Sequence, residues 1–240
     1  MLTQASLQDL GAPLPHWAPR PRPDGSRLIG DYCVLEKLDL TRQARALFRA
    51  FQASKTLESW TYLPYGPFET LQSFEQGYQK ILNDPDTLLY VILRPHSFEP
   101  IGLAGYLRIN SEHGTIEIGH LHFSVYLQKT CAATEALFLL ISRAFALGYR
   151  RVEWKCNSLN QPSINAAKRL GFQCEGIFRQ ANVFKGYNRD TTWFSILDSE
   201  WPRLKQKFEA WLHPQNFDAT GQQIQRLEEI SVPDALETQR

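Results

Sequence analysis

The stretch that constrains this chain most runs from Gly114 to Glu135, GTIEIGHLHFSVYLQKTCAATE. Thr115 to Ser124 reads as a strand, and Gln128-Lys129-Thr130-Cys131-Ala132-Ala133 as a turn of small and polar residues. A long helix is predicted from Ala132 to Leu147, with Ala136, Leu137, Leu140, Ile141, Ala144 and Phe145 on its buried face. Gly148 suits the position just past a helix C-terminus. Tyr149 to Cys156 alternates as another strand. Strand, crossing helix and strand form a βαβ unit, so these two strands are expected to run parallel. A strand-to-helix turn of small residues is also a ready anion site. The first helical amides lack partners, the helix dipole adds positive charge, and a nest of amides suits a pyrophosphate.

The remaining elements follow from pattern. Pro13, Pro15, Pro19, Pro21 and Pro23 make residues 1–29 an extended arm, with Arg20, Arg22 and Arg27 along it. Asp31 to Glu36 is predicted as a short strand, followed by a helix with Leu40, Ala44, Leu47, Phe48 and Phe51 on one face. Glu58 to Phe68 is an aromatic loop able to wall a pocket or to pack as a connector. Thr70 is placed to cap a second helix, which ends before Asn83-Asp84-Pro85. Leu88–Leu93, Pro100–Ile109 and Thr115–Ser124 form an antiparallel meander, with Gly102 and Gly105 marking a bulge or a close backbone approach. After the βαβ unit come a helix from Pro162 to Leu170, then strands Gln173–Phe184 and Asp190–Leu197 around a turn at Lys185–Arg189. Trp201 to Leu212 is an amphipathic helix; in the polar tail Ile224, Leu227 and Ile230 suit a short docked helix. The fold class is therefore α/β, a central mixed sheet flanked by helices. Its expected organisation is an arm (1–29), one domain (30–200) and a C-terminal helix and tail (201–240).

Composition removes several function classes. With 26 Lys+Arg against 25 Asp+Glu, no global basic field exists for nucleic acid. No run of about 18 apolar residues exists to span a membrane. The start lacks a basic, then apolar, secretory pattern. Cys33, Cys131, Cys156 and Cys174 show no paired metal spacing, so a cytoplasmic protein with reduced thiols and no metal is expected.

Two motifs carry a resemblance. Gln128, Cys131 and Ala133, followed by Thr134-Glu135-Ala136, are spaced like the phosphate signature of the GNAT N-acetyltransferases, with Cys131 where that family usually has Gly. If that position needs a positive φ, a cysteine there is strained. Asn160-Gln161-Pro162-Ser163, Ala166-Ala167-Lys168-Arg169-Leu170-Gly171-Phe172 and Glu175-Gly176 resemble the helix motif of the branch that acetylates ribosomal-protein N-termini and small amines. Arg179-Gln180-Ala181, Asn188-Arg189-Asp190 and Glu200-Trp201 fit the same branch.

The resemblance implies acetyl transfer from acetyl-coenzyme A to an amine acceptor, with the alternative of a non-catalytic acyl-coenzyme A binding module. It implies a coenzyme site at Gln128, Lys129, Thr130, Cys131, Ala132, Ala133 and Thr134, with the pantetheine arm on backbone groups near Phe123 and Val125 and beside Asn160. It implies Ser163 as the acid that protonates the thiolate; its residue type and place also suit a capping hydroxyl. Glu117 alternates with Ile116 and Ile118, so it is either the base facing away from the core or a cross-strand partner for an arginine. His120 and His122 are expected to share the face of Ile116 and Ile118, as proton relays or structural imidazoles. Asn182 stands where some relatives use a carboxylate, and Trp154 and Trp193 are expected in the core. Monomer and homodimer are both compatible with this pattern.

Overall fold

The computed structural model describes residues 11–232; the first ten residues of the arm and the last eight of the tail lie outside the described residues. The strands are β1 (Leu28–Ile29), β2 (Val34–Lys37), β3 (Leu88–Leu93), β4 (Pro100–Asn110), β5 (Thr115–Phe123), β6 (Arg151–Asn157), β7 (Gln173–Phe184) and β8 (Tyr187–Leu197). The helices are α1 (Leu40–Gln52), α2 (Leu71–Leu82), α3 (Cys131–Ala146), α4 (Gln161–Arg169) and α5 (Trp201–Leu212). One mixed sheet has the order β1-β2-β3-β4-β5-β6-β8-β7. Its parallel pair is β5–β6, as the βαβ reading requires.

Each face of the sheet buries one helical layer. Leu140, Ile141 and Ala144 of α3 and Phe208 of α5 pack with Ile116, Ile118, Trp154 and Phe194. On the other face Leu47 and Phe51 of α1 pack with Phe74 and Tyr78 of α2 over Leu103 and Val91. Helix starts follow their caps. Asp39 accepts the Thr41 amide at α1, and Thr70 and Ser73 form a reciprocal capping box at α2.

Four features depart from the sequence pattern. The strand expected from Asp31 begins only at Val34, because the chain first bends around Glu135 of α3. The Glu135 carboxylate accepts the amides of Asp31, Tyr32 and Cys33 at 2.8, 2.7 and 2.8 Å. A Cβ at Gly30 would collide with that carboxyl, so glycine is required there. The hairpin turn is Lys185-Gly186 alone, with φ of 50° and 82°. Two left-handed residues match the twist of the flanking strands, and Tyr187, Asn188 and Arg189 join β8. In the tail, Leu227 and Ile230 enter the main core around a single 3₁₀ turn, while Ile224 stays exposed.

The fourth departure lies in β5. Leu103 pairs with His122 and Gly105 with Gly119, so Ala104 faces both His120 and Leu121. His120 takes φ 50° at this bulge. An extra residue inverts the alternation. His122 therefore leaves the face of Ile116 and Ile118 and stacks on Phe51, with ring centroids 3.6 Å apart. His120 meets the Tyr65 hydroxyl at 3.1 Å in the same aromatic layer. Burial pushes His120 down to about 4 and His122 down to about 3. Both are packed neutral imidazoles at neutral pH, and the aromatic loop that holds them is a packed connector around buried Trp60.

Glu135→Ala strands three amides in a closed corner, and we expect a loss of about 3 kcal/mol in guanidinium denaturation; a loss below about 1 kcal/mol would contradict this anchoring role. The histidines bind protons in the unfolded chain near pH 6.5 but not when folded. Their contribution is fully present above about pH 6.5 and is lost as the pH falls toward their folded values. Unfolding free energy should therefore drop between pH 6.5 and 4.5 by up to about 1.4 kcal/mol per pH unit per histidine. His122→Phe should flatten that slope in urea titrations at several pH values; an unchanged slope would assign it to other groups.

Candidate active site

The central feature is where two parallel strands part. β5 and β6 pair at Thr115–Arg151, Ile116–Val152 and Glu117–Glu153, and no further. β5 continues to Phe123, and β6 continues to Asn157 while paired with β8 on its other side. The bulge at His120 bends β5 away. Backbone groups of β5 beyond Glu117 thus border a gap that an extended ligand can enter as an added strand.

The wide end of the gap leads to the turn before α3. Ser124 accepts the amides of Leu127 and Gln128 at 3.0 and 3.1 Å. The Gln128 side chain donates to the Phe123 carbonyl at 2.8 Å and ties the turn to the end of β5. The helix begins at Cys131, so Cys131, Ala132 and Ala133 are its first turn and not part of the loop. Cys131 is helical and its glycine-like position carries no strain. The left-handed residue is Lys129, with φ 60°. The Thr130 hydroxyl oxygen accepts the Ala133 amide at 3.3 Å. The amides of Cys131 and Ala132 have no intrahelical acceptor behind them, and small side chains leave them approachable. Burial pushes the Cys131 thiol up, which keeps it protonated and uncharged beside an anion. Val125 is exposed at the rim. Thr134 is turned inward, where its hydroxyl accepts from Arg169 at 3.0 Å and fastens α3 to α4. Arg169 also lies over the Trp211 ring, so it is no solvated helix residue.

Across the gap, Asn160 caps α4 by accepting the Ser163 amide at 3.2 Å. The Ser163 hydroxyl is not a cap. Its oxygen accepts the Trp154 indole N–H at 3.1 Å, and the hydroxyl also hydrogen-bonds the Cys156 side chain.

At the closed end stands Glu117, 3% exposed. Arg108 Nε reaches it at 2.5 Å and Lys155 Nζ at 3.4 Å. Arg108 also bonds Glu153, which accepts from Arg151, which in turn grips Glu175. Arg108 stacks over Trp193 at 4.4 Å, and Lys155 lies 5.3 Å from the same ring. Of the two readings of Glu117, the structure shows the cross-strand partner of an arginine, placed where β5 and β6 part. Trp193 is no core residue; it forms the wall of this polar face. Asn182 stands exposed in β7 opposite Arg189. The partners Arg108 and Lys155 were not singled out from sequence, although Arg151-Glu153-Lys155 alternating with Val152-Trp154-Cys156 marks a polar face on β6.

Among the described residues no cluster of three His, Cys, Asp or Glu side chains could hold a metal ion. No described helix is long and apolar enough to cross a membrane. A separate cavity of about 580 Å³ lies by Arg27, Glu36, Arg42 and Phe98, on the β2 side of the sheet.

Known proteins share this domain and its fold. Residues 34–173, more than half of the chain, match the model of the Acetyltransferase (GNAT) domain. A GCN5-related N-acetyltransferase from Brucella melitensis superposes with a TM-score of 0.87 at 43% identity, covering 90% of this chain and 98% of that one. A probable GNAT-family acetyltransferase from Chromobacterium violaceum gives 0.76 at 44% identity, covering 80% and 96%. The uncharacterized N-acetyltransferase p20 of Bacillus licheniformis is 34% identical over 113 residues, 47% of this chain and 63% of its own length. With the family model and a solved relative of 43% identity in agreement, this chain belongs to the GNAT acetyltransferase family.

Proposed function

We propose that the protein is a cytoplasmic acetyltransferase that moves an acetyl group from acetyl-coenzyme A to a primary amine by direct attack. The observation that carries this reading is the β5–β6 fork, with free helix-start amides at its open end and Glu117 at its closed end. The pyrophosphate would take the amides of Cys131 and Ala132 with Lys129 alongside, and the pantetheine arm would run along β5 from Val125 and Phe123 toward Glu117. The Asn160 side-chain amide, on the opposite bank, is available to the arm. A cytoplasmic setting fits four free cysteines.

The reaction forms a nitrogen–carbon bond and breaks a carbon–sulfur bond. The amine loses one proton, and the thiolate gains one. A β5 amide polarises the thioester carbonyl. Ser163, with its oxygen already occupied by Trp154, donates to the leaving sulfur. Glu117 accepts the amine proton while Arg108 and Lys155 hold it in place. That same pairing of Glu117 with two cations favours a second reading, a non-catalytic acyl-coenzyme A binding module.

Thiol release from acetyl-coenzyme A against a panel of amines separates the two: release supports transfer, and tight coenzyme binding without release supports the binding module. Glu117→Gln should lower kcat by about 100-fold or more with coenzyme affinity unchanged; unchanged kcat would remove Glu117 as the base. Ala133→Glu should weaken acetyl-coenzyme A binding by at least about tenfold in calorimetry, through charge repulsion at the helix start. Normal binding would move the phosphate site elsewhere.

A further inference from the structure

Three side chains on one face of β8 hold buried polar atoms without a partner. Arg189 Nε, Thr191 Oγ1 and Trp193 Nε1 make no hydrogen bond among the described residues. Thr191 is only 3% exposed. The β6–β8 register is unbroken from Asn157–Thr191 to Arg151–Leu197, so residues 191 and 193 project to the same side. Arg189 continues that alternation and pairs with Asn182 across the hairpin. The side is that of Glu117, because Arg108 and Lys155 meet both Glu117 and the Trp193 ring. The hairpin turn reaches back over this face, with Lys185 donating to the Trp60 carbonyl at 2.9 Å.

Buried polar groups are normally satisfied, and an open one costs stability, so three in a row need an explanation. Two of them, Arg189 Nε and Trp193 Nε1, only donate; the threonine hydroxyl does either. Their missing partners are therefore oxygens or other acceptors. Alternate residues of a strand stand about 7 Å apart, which is also the repeat of carbonyls along one side of an extended peptide. The charges point the same way. Glu117, Glu153 and Glu175 are matched by Arg108, Arg151 and Lys155, which leaves no free carboxylate there for a polycation.

Resting on the transfer reading above, we infer that Arg189, Thr191 and Trp193 form the acceptor subsite and select an amine flanked by carbonyl or carboxylate oxygens, as at the free end of a peptide, over a polyamine. Arg189 is held for this by its stacking on Phe184, 5.2 Å from the ring. Trp193 keeps its ring against Arg108 and Lys155 while its buried N–H has no partner.

Binding to the coenzyme A-loaded protein tests the subsite without turnover. The probes are tripeptides with free α-amines that vary the first residue, spermidine, and n-butylamine. Tripeptides should bind at least about tenfold more tightly than either carbonyl-free amine. Thr191→Val, which keeps shape and removes the hydroxyl, and Arg189→Lys, which keeps the charge and removes Nε, should each weaken the best tripeptide by about tenfold and leave n-butylamine unchanged. Spermidine binding best, no tripeptide binding, or variants that leave tripeptide affinity unchanged would each overturn the subsite. Thiol release measured in parallel reports on transfer alone: tripeptides that bind through β8 without releasing thiol would sink the transfer reading and keep the subsite.

Discussion

Three residue pairs hold β5 to β6, and everything that makes this fold useful depends on the pairing stopping there. Had the two strands stayed in register to their ends, the sheet would be continuous and β5 would offer no free backbone. The extra residue at His120 prevents that by bending β5. The same bulge turns two imidazoles into the aromatic layer under α1 and α2, where Phe51, Trp60, Tyr65 and Tyr78 surround them. Opening on one side of β5 is thus coupled to tight packing on the other. The fork is held open by a rigid layer beneath it.

The two ends of the fork differ in electrostatics. At the open end, uncharged small residues surround free amides, and the partial charge of α3 is left unneutralised by any acidic side chain in its first turn. At the closed end, three acids and three bases neutralise each other around the Trp193 ring. Glu135 connects this site to the rest of the chain. It carries α3 and the β1–β2 corner as one unit, so the helix that presents the amides is pinned from behind.

Much of this was legible in the sequence. The βαβ unit, the cap at Thr70 and the α5 boundaries follow from local rules that need no knowledge of neighbours. The turn before α3 was visible, but its helix start was misjudged by one residue, because Thr130 suits both a loop and an N-cap. Two features were hidden. A bulge at a non-glycine residue has no local signature, so the faces of His120 and His122 could not be assigned by alternation. Glu135 looked like an ordinary polar residue of a helix; its role depends on a glycine corner more than 100 residues away in sequence. Trp193 was expected in the core, and only the register with Lys155 shows that it lies on the polar face.

Hydrogen exchange at single-residue resolution, with and without acetyl-coenzyme A, reports where the coenzyme lies. The fork and the α3 start should act together as the coenzyme site. The account predicts slower exchange at Lys129, Cys131 and Ala132 and along β5 from Ile118 to Phe123, with little change at the Arg27–Glu36–Arg42 cavity. Protection at that cavity with none along β5 or the first turn of α3 would contradict it.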